Sequence, residues 1–162
     1  MANTVIERLK TLLINDVNIT ANFVSPYVEI NLPEVDLVRQ MANVSYPIIL
    51  LWDGGIVDSK PVGTGNAQKR IVERSHNIKV SIMQKILDRE GVLLDSGTKE
   101  GIINLCETFM TALITDKTLV GNYYKLEYGT WRERDYVDPT DPNRPFSRGR
   151  ENVLTYKKLE RI

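Results

Sequence analysis

The sequence predicts an α/β (α+β) fold from three observations. Apolar residues recur at helical spacing in two separate stretches, one apolar run shows no alternation, and one long stretch alternates strictly between apolar and polar. The chain has 162 residues, a length that fits one domain over residues 1–162 on a prior of about 100–200 residues per domain. Hydrophobic residues make up 42% and charged residues 26%, a balance that supports a packed core and argues against global disorder.

The first helix is predicted over residues 4–15. Thr4-x-x-Glu7 has the form of a capping box. Ile6, Leu9, Leu12 and Leu13 follow on one face, and the polar Asn15-Asp16 ends the run. Tyr27, Val28 and Ile30 suggest a short strand closed by Pro33, which also suits the first position of a short helix to about Met41. Pro47 to Trp52 is apolar throughout, as expected of a strand covered on both faces, and Asp53-Gly54-Gly55 is expected to turn the chain out of it. Gly54–Lys69 holds several glycines and Pro61 without periodicity and reads as an exposed loop or loose hairpin.

From Gln68 to Ile86 a long strand is expected, with Ile78, Val80, Ile82 and Ile86 on one face and Lys79, Ser81 and Lys85 on the other. Asp95-Ser96-Gly97-Thr98 supplies a cap for the second main helix, whose stripe is Ile102, Leu105, Cys106, Phe109, Ala112 and Leu113. A tyrosine-rich strand then runs from Tyr123 through Trp131 toward Tyr136. Val137–Arg150 contains three prolines and a glycine and is expected to be an extended loop, since proline removes a backbone donor. A strand from Val153 onward closes a long C-terminal hairpin.

Charge and cysteine content narrow the class. Twenty-one basic residues balance twenty-one acidic ones, so the basic excess of a nucleic-acid module is missing overall. Cys106 is the only cysteine, which rules out an intrachain disulfide. Glu7 and Arg8 interrupt the place of a signal peptide, and no apolar run reaches membrane-spanning length. A soluble, intracellular protein is expected, in which Asn18-Ile19-Thr20 and Asn43-Val44-Ser45 match the glycosylation pattern by chance.

No catalytic set emerges. The single histidine, His76, neighbours Ser75, and strand neighbours point to opposite faces. Cys106 lies on a buried stripe, where cysteine behaves as a small hydrophobe. Zinc would need several Cys or His ligands at short spacing, so no metal or cofactor is expected. Gly63-Thr64-Gly65 lacks the third glycine and the Lys-Ser/Thr of a phosphate loop. Asp135, Asp138 and Asp141 lie in or beside the expected loop, a poor platform for fixed acid–base geometry.

The segment Trp131-Arg132-Glu133-Arg134-Asp135-Tyr136, with Arg144, Phe146, Arg148 and Arg150 beyond it, mixes aromatics with alternating charge. Three readings fit: a nucleic-acid groove with stacking aromatics, a solvated face laced with salt bridges, or a protein interface. Interleaved acids weigh against phosphate binding. Enrichment in Trp, Tyr and Arg favours the protein interface, so Trp131, Arg132, Arg134, Tyr136, Arg144, Phe146, Arg148 and Arg150 are the candidate interface residues.

The order of elements resembles the tail terminator (tail completion) proteins of long-tailed bacteriophages and the related neck and tail-joining proteins. The resemblance is carried by Met1 to Asn15, Tyr46 to Asp53, Ser75 to Leu87, Glu100 to Thr115 and Val153 to Ile162. It implies helices packed on a mixed sheet, and six copies in a ring at the head-proximal end of a tail tube. Such a ring stops tube growth and meets the neck, has no catalytic site or cofactor, and lets DNA pass through its lumen. The implied partners are a second copy of the chain, a tail tube protein and a neck or connector protein, with no membrane. The implied place is the virion, and the host cytoplasm during assembly. Head-to-tail contacts between identical subunits close into a ring when the rotation divides a full turn. The expected patches are the strand Gln68–Ile86 and the hairpin Tyr123–Ile162, with Gly54–Lys69 and Val137–Arg150 facing tube, neighbour or lumen. The alternatives are another neck component, such as a head-closure or adaptor protein, and a single-stranded nucleic-acid-binding module.

Overall fold

The computed structural model describes residues 5–23, 25–29, 47–59, 71–85, 101–138 and 141–161. Thr4 of the expected capping box, the Pro33–Met41 helix, the Asp95–Thr98 cap and residues 60–69 lie outside them. Helices and a mainly antiparallel sheet make an α+β fold, as the sequence predicts. The elements are α1 (Val5–Asn15), α2 (Val17–Asn22), β1 (Ser25–Glu29), β2 (Ile48–Asp58), β3 (Ile71–Lys85), α3 (Ile102–Thr115), β4 (Lys125–Tyr128), β5 (Arg132–Asp138) and β6 (Asp141–Arg161).

In α1 the buried residues are Val5, Ile6, Leu9 and Leu13, while Glu7 and Thr11 face out. Asp16 does more than end this helix. Its carboxylate accepts from the amides of Asn18 at 2.9 Å and Ile19 at 3.0 Å, which starts the short α2. In α3 the buried residues are Ile102, Leu105, Cys106, Phe109, Ala112 and Leu113, the stripe legible in the sequence.

The sheet order is β1-β2-β3-β6-β4, with β5 also paired to β6. The β1–β2 pair is parallel and the others are antiparallel. One face carries Ile49 and Leu51 from β2, Ile78, Val80 and Ile82 from β3, and Leu154 and Tyr156 from β6. These close a single cluster with α1, α2 and α3. Each such Leu, Ile or Phe removed from water contributes about 1.5–3 kcal/mol. Ile48, Leu50 and Met83 point to the other face and are fully buried as well, so the apolar β2 run is covered on both sides.

Three expectations are corrected. Gly54–Asp58 is strand, because Asp53-Gly54-Gly55 makes a bulge where a turn was expected. The register runs from Asp53 opposite Ile78 to Ile56 opposite His76, so two glycines oppose Asn77 alone. A Cβ on Gly54 would lie 3.0 Å from the Asn77 carbonyl oxygen, and Gly55 has φ +90. The expected loop Val137–Arg150 is also largely strand: residues 141–150 belong to β6 and Val137–Asp138 to β5. Pro142 and Pro145 fit because Asp141–Phe146 has one described strand neighbour, β5, and register shifts flank the Val137–Pro145 pair. Finally, the tyrosine-rich strand is two strands. Both β4 and β5 pair with β6, and the chain leaves the ladder at Gly129, Thr130 and Trp131.

Candidate interface at the break between β4 and β5

The break sits where three residues oppose two. Tyr128 pairs with Leu154 and Arg132 with Glu151, leaving Gly129–Trp131 against Asn152 and Val153. Asn152 is buried beside the core strands and satisfies the interrupted backbone. Its Oδ1 accepts from the Gly129 N–H at 3.0 Å and its Nδ2 donates to the Gly129 carbonyl at 3.1 Å. Trp131 turns toward the helices, with its ring edge-on to Phe109 at 6.0 Å between centroids.

On the face away from the helices, the break opens a cleft of about 340 Å³ lined by Lys79, Gly129, Thr130, Arg132, Glu151, Asn152 and Val153. The Lys79 ammonium lies 3.4 Å from Glu151 and 5.5 Å from the centre of the Trp52 ring. Further along this face, Lys157 sits between Glu73 at 3.3 Å and Glu127 at 3.2 Å, and Lys125 approaches Glu127 at 2.9 Å. The Tyr124 hydroxyl donates to Glu73 and, with Lys157, holds that carboxyl below its usual range. Charges of both signs alternate here, so the described side chains form no continuous cationic track of the kind a phosphate backbone follows. The face ends in Val57, Ile71 and Leu159, three exposed apolar side chains around Glu73.

The candidate residues divide between the two faces. Arg132 is exposed and lines the cleft. Arg150 pairs in register with Ile82 of the core face, meets Glu133 at 3.3 Å, and lies near enough to Cys106 to favour its thiolate slightly. Trp131 is half-buried against the core. Arg134 and Tyr136 stand opposite Gly149 and Ser147, and Arg148 stands between Asp135 of β5 and Gln84 of β3. Arg144 and Phe146 lie on the part of β6 beyond its pairing with β3. Lys79, Thr130, Glu151, Asn152 and Val153 fall inside the expected patches Gln68–Ile86 and Tyr123–Ile162 but are not among the candidate residues named from the sequence. Asn152 carried a signal, since it shares the parity of the buried Leu154 and Tyr156, and a buried amide requires partners.

The single cysteine and the single histidine are both held in packing. Burial pushes the Cys106 thiol up to about 12, leaving it protonated and inert. His76 is half-buried, edge-on to Tyr123 at 5.4 Å, and pushed below its ordinary value first by burial and then by Lys158 and Arg74. Among the described residues, no three His, Cys, Asp or Glu side chains gather to hold a metal ion. No described helix is long and apolar enough to cross a membrane. The chain matches no protein-family model and no curated protein.

Proposed function

We propose that the chain is a structural virion protein of the tail-terminator kind. It forms a ring, by the resemblance a hexamer, at the head-proximal end of a phage tail tube, ends tube growth and joins tail to neck. The observation that carries this reading is the length of the β3–β6 pair. β3 has 15 residues, all paired to β6 from Ile71–Arg161 to Lys85–Ser147, about 50 Å of strand. The longest described helix, α3, has 14 residues, about 21 Å. The β3–β6 pair is thus longer than any one described helix can cover, and its far end carries Val57, Ile71 and Leu159 in the open, a patch a neighbouring subunit could cover.

In the finer form of this reading, β5 and β6 act as a long C-terminal hairpin, and the two amphipathic helices, α1 and α3, form the outer layer of the subunit. The tube and neck proteins are the other partners, DNA only passes through, and no chemistry is performed. The inert Cys106 thiol and the packed His76 support a non-enzymatic role.

The test is a titration into polymerising tail-tube protein, with tube lengths read by negative-stain electron microscopy. Sub-stoichiometric protein is expected to shorten tubes and leave density at one end, and Leu159→Glu is expected to lose this while folding normally. Unchanged lengths and bare ends would overturn the terminator reading, and portal binding would then favour a head-closure or adaptor protein.

A further inference from the structure

We infer that the cleft at the β4–β5 break is a carboxylate-binding site that accepts an acidic side chain of a protein partner. The inference rests on reading this region as a protein interface, but not on the ring or the tube.

The lining carries two cations, Lys79 and Arg132, against one anion, Glu151, so one further negative charge balances it. Among the described residues no ion pair engages Arg132, and its side chain is exposed. A planar guanidinium with free N–H groups is matched geometrically by a carboxylate, which accepts two parallel hydrogen bonds. Lys79 is held loosely: it lies 3.4 Å from Glu151 and rests over Trp52, so its ammonium has donors left for a second acceptor. Thr130 adds a hydroxyl on the same wall as Arg132, and exposed Val153 offers an apolar contact for the methylene stem of a Glu or Asp.

The cleft is also firmly built. Its floor strands are the paired centre of the sheet, and the Asn152–Gly129 bonds fix the edge of the break. A site preorganised in this way loses little freedom on binding. Glu151 inside the lining disfavours a phosphate, whose second negative charge and larger radius bring it against that carboxylate.

The experiment is an amide NMR titration of the full chain with acetyl-Ala-Glu-Ala-amide, its Gln counterpart and sodium phosphate as separate probes. The expected result is saturable shifts at Thr130, Arg132 and Val153 with the Glu peptide, and none with the Gln peptide. Arg132→Gln should weaken binding at least about tenfold, because the paired charge-assisted hydrogen bonds of the guanidinium are lost and at most one neutral one remains. Lys117→Gln, in the exposed turn after α3 and outside the cleft lining, should change nothing. Arg132→Lys, which keeps the charge and loses the fork, should fall between wild type and Arg132→Gln. Equal binding of the Gln peptide, tighter binding of phosphate, or unchanged affinity in a folded Arg132→Gln protein would each overturn the inference. A protein that caps tubes without binding the peptide loses this site alone. One that binds the peptide without capping keeps the site and loses the terminator reading.

Discussion

Asn152 meets Gly129 as one peptide group meets another, accepting from its N–H at 3.0 Å and donating to its carbonyl at 3.1 Å. The side-chain amide thus supplements the one backbone bond left at the point where the edge of the sheet is interrupted, from the Gly129 N–H to the Val153 carbonyl at 3.3 Å. The same Oδ1 accepts from the Val153 N–H at 2.8 Å, which ties the amide to its own strand. This arrangement lets β4 and β5 share β6 without a continuous ladder, and both Asn152 and Gly129 line the cleft with Arg132 and Lys79.

Replacing Asn152 is therefore expected to cost stability out of proportion to its size. Asn152→Ala should lose about 1–2 kcal/mol, because Gly129 is exposed and water recovers part of its bonding. Asn152→Asp should cost at least as much, since it sets an acceptor against the Gly129 carbonyl. Urea unfolding of the three proteins measures this. A change for Asn152→Ala below about 0.3 kcal/mol, within the scatter of surface substitutions, would mean that the break is held by something other than the amide.

The sequence made the helical faces and the buried β2 run legible because their periodicity reports directly on a core that covers them. Ile49, Leu51, Ile78, Val80, Leu105 and Phe109 all lie in one cluster. It misled where local composition competes with pairing. Pro142, Pro145 and Gly149 read as loop residues, yet β5 is the described partner of the irregular stretch that holds the two prolines, and Gly149 is paired on both sides, with Arg134 of β5 and Met83 of β3. Gly54-Gly55 read as a turn, although glycines serve a bulge equally well. The candidate interface was half visible. Its aromatic and arginine composition pointed to residues 131–150, but which of them share a face depends on register. Lys79 enters the site from a strand far away in sequence.

The turn after α3 holds a second constraint that can be tested. Leu119 and Val120 both have positive φ, 47° and 61°, a conformation costly for a β-branched residue. Asp116 compels it, accepting from Thr118 N–H at 3.2 Å, the Thr118 hydroxyl at 2.9 Å and Val120 N–H at 2.8 Å. Burial pulls the Asp116 carboxyl upward, but the bonds from Val120, Thr118 and Leu119 together keep it below the usual range. Val120 is 87% exposed and packs on little. Val120→Asn should therefore stabilise the protein by about 0.5–1 kcal/mol by relieving backbone strain, and Asp116→Ala should destabilise it by about 1–2 kcal/mol. Thermal melts decide between these signs, and a destabilised Val120→Asn would show that the valine side chain makes up for its own strain.

His76 gives the fold an acid-side weakness separate from its carboxylates. The imidazole lies on the helix-facing side of β3, opposite Ile56 and Tyr156 and edge-on to Tyr123. Burial lowers its pKa from 6.5, and Lys158 and Arg74 lower it further against the opposing pull of Glu160 and Asp53. With the folded value below the unfolded one, the unfolded chain takes up the proton first as pH falls. The stability tied to neutral His76 is complete above pH 6.5 and is lost progressively below it. The depressed carboxylates Asp58, Glu73, Asp116, Glu127 and Glu160 act later: their ordinary values are 3.8 for Asp and 4.5 for Glu, and their contributions fade as pH falls through lower values still. Since the chain has one histidine, His76→Phe isolates the first effect while keeping an edge for the Tyr123 ring. The wild type should begin to lose melting temperature just below pH 6.5, and His76→Phe should hold level until the carboxylate range. Identical pH profiles for the two proteins, or an NMR titration of His76 centred above 6.5, would place the acid weakness elsewhere.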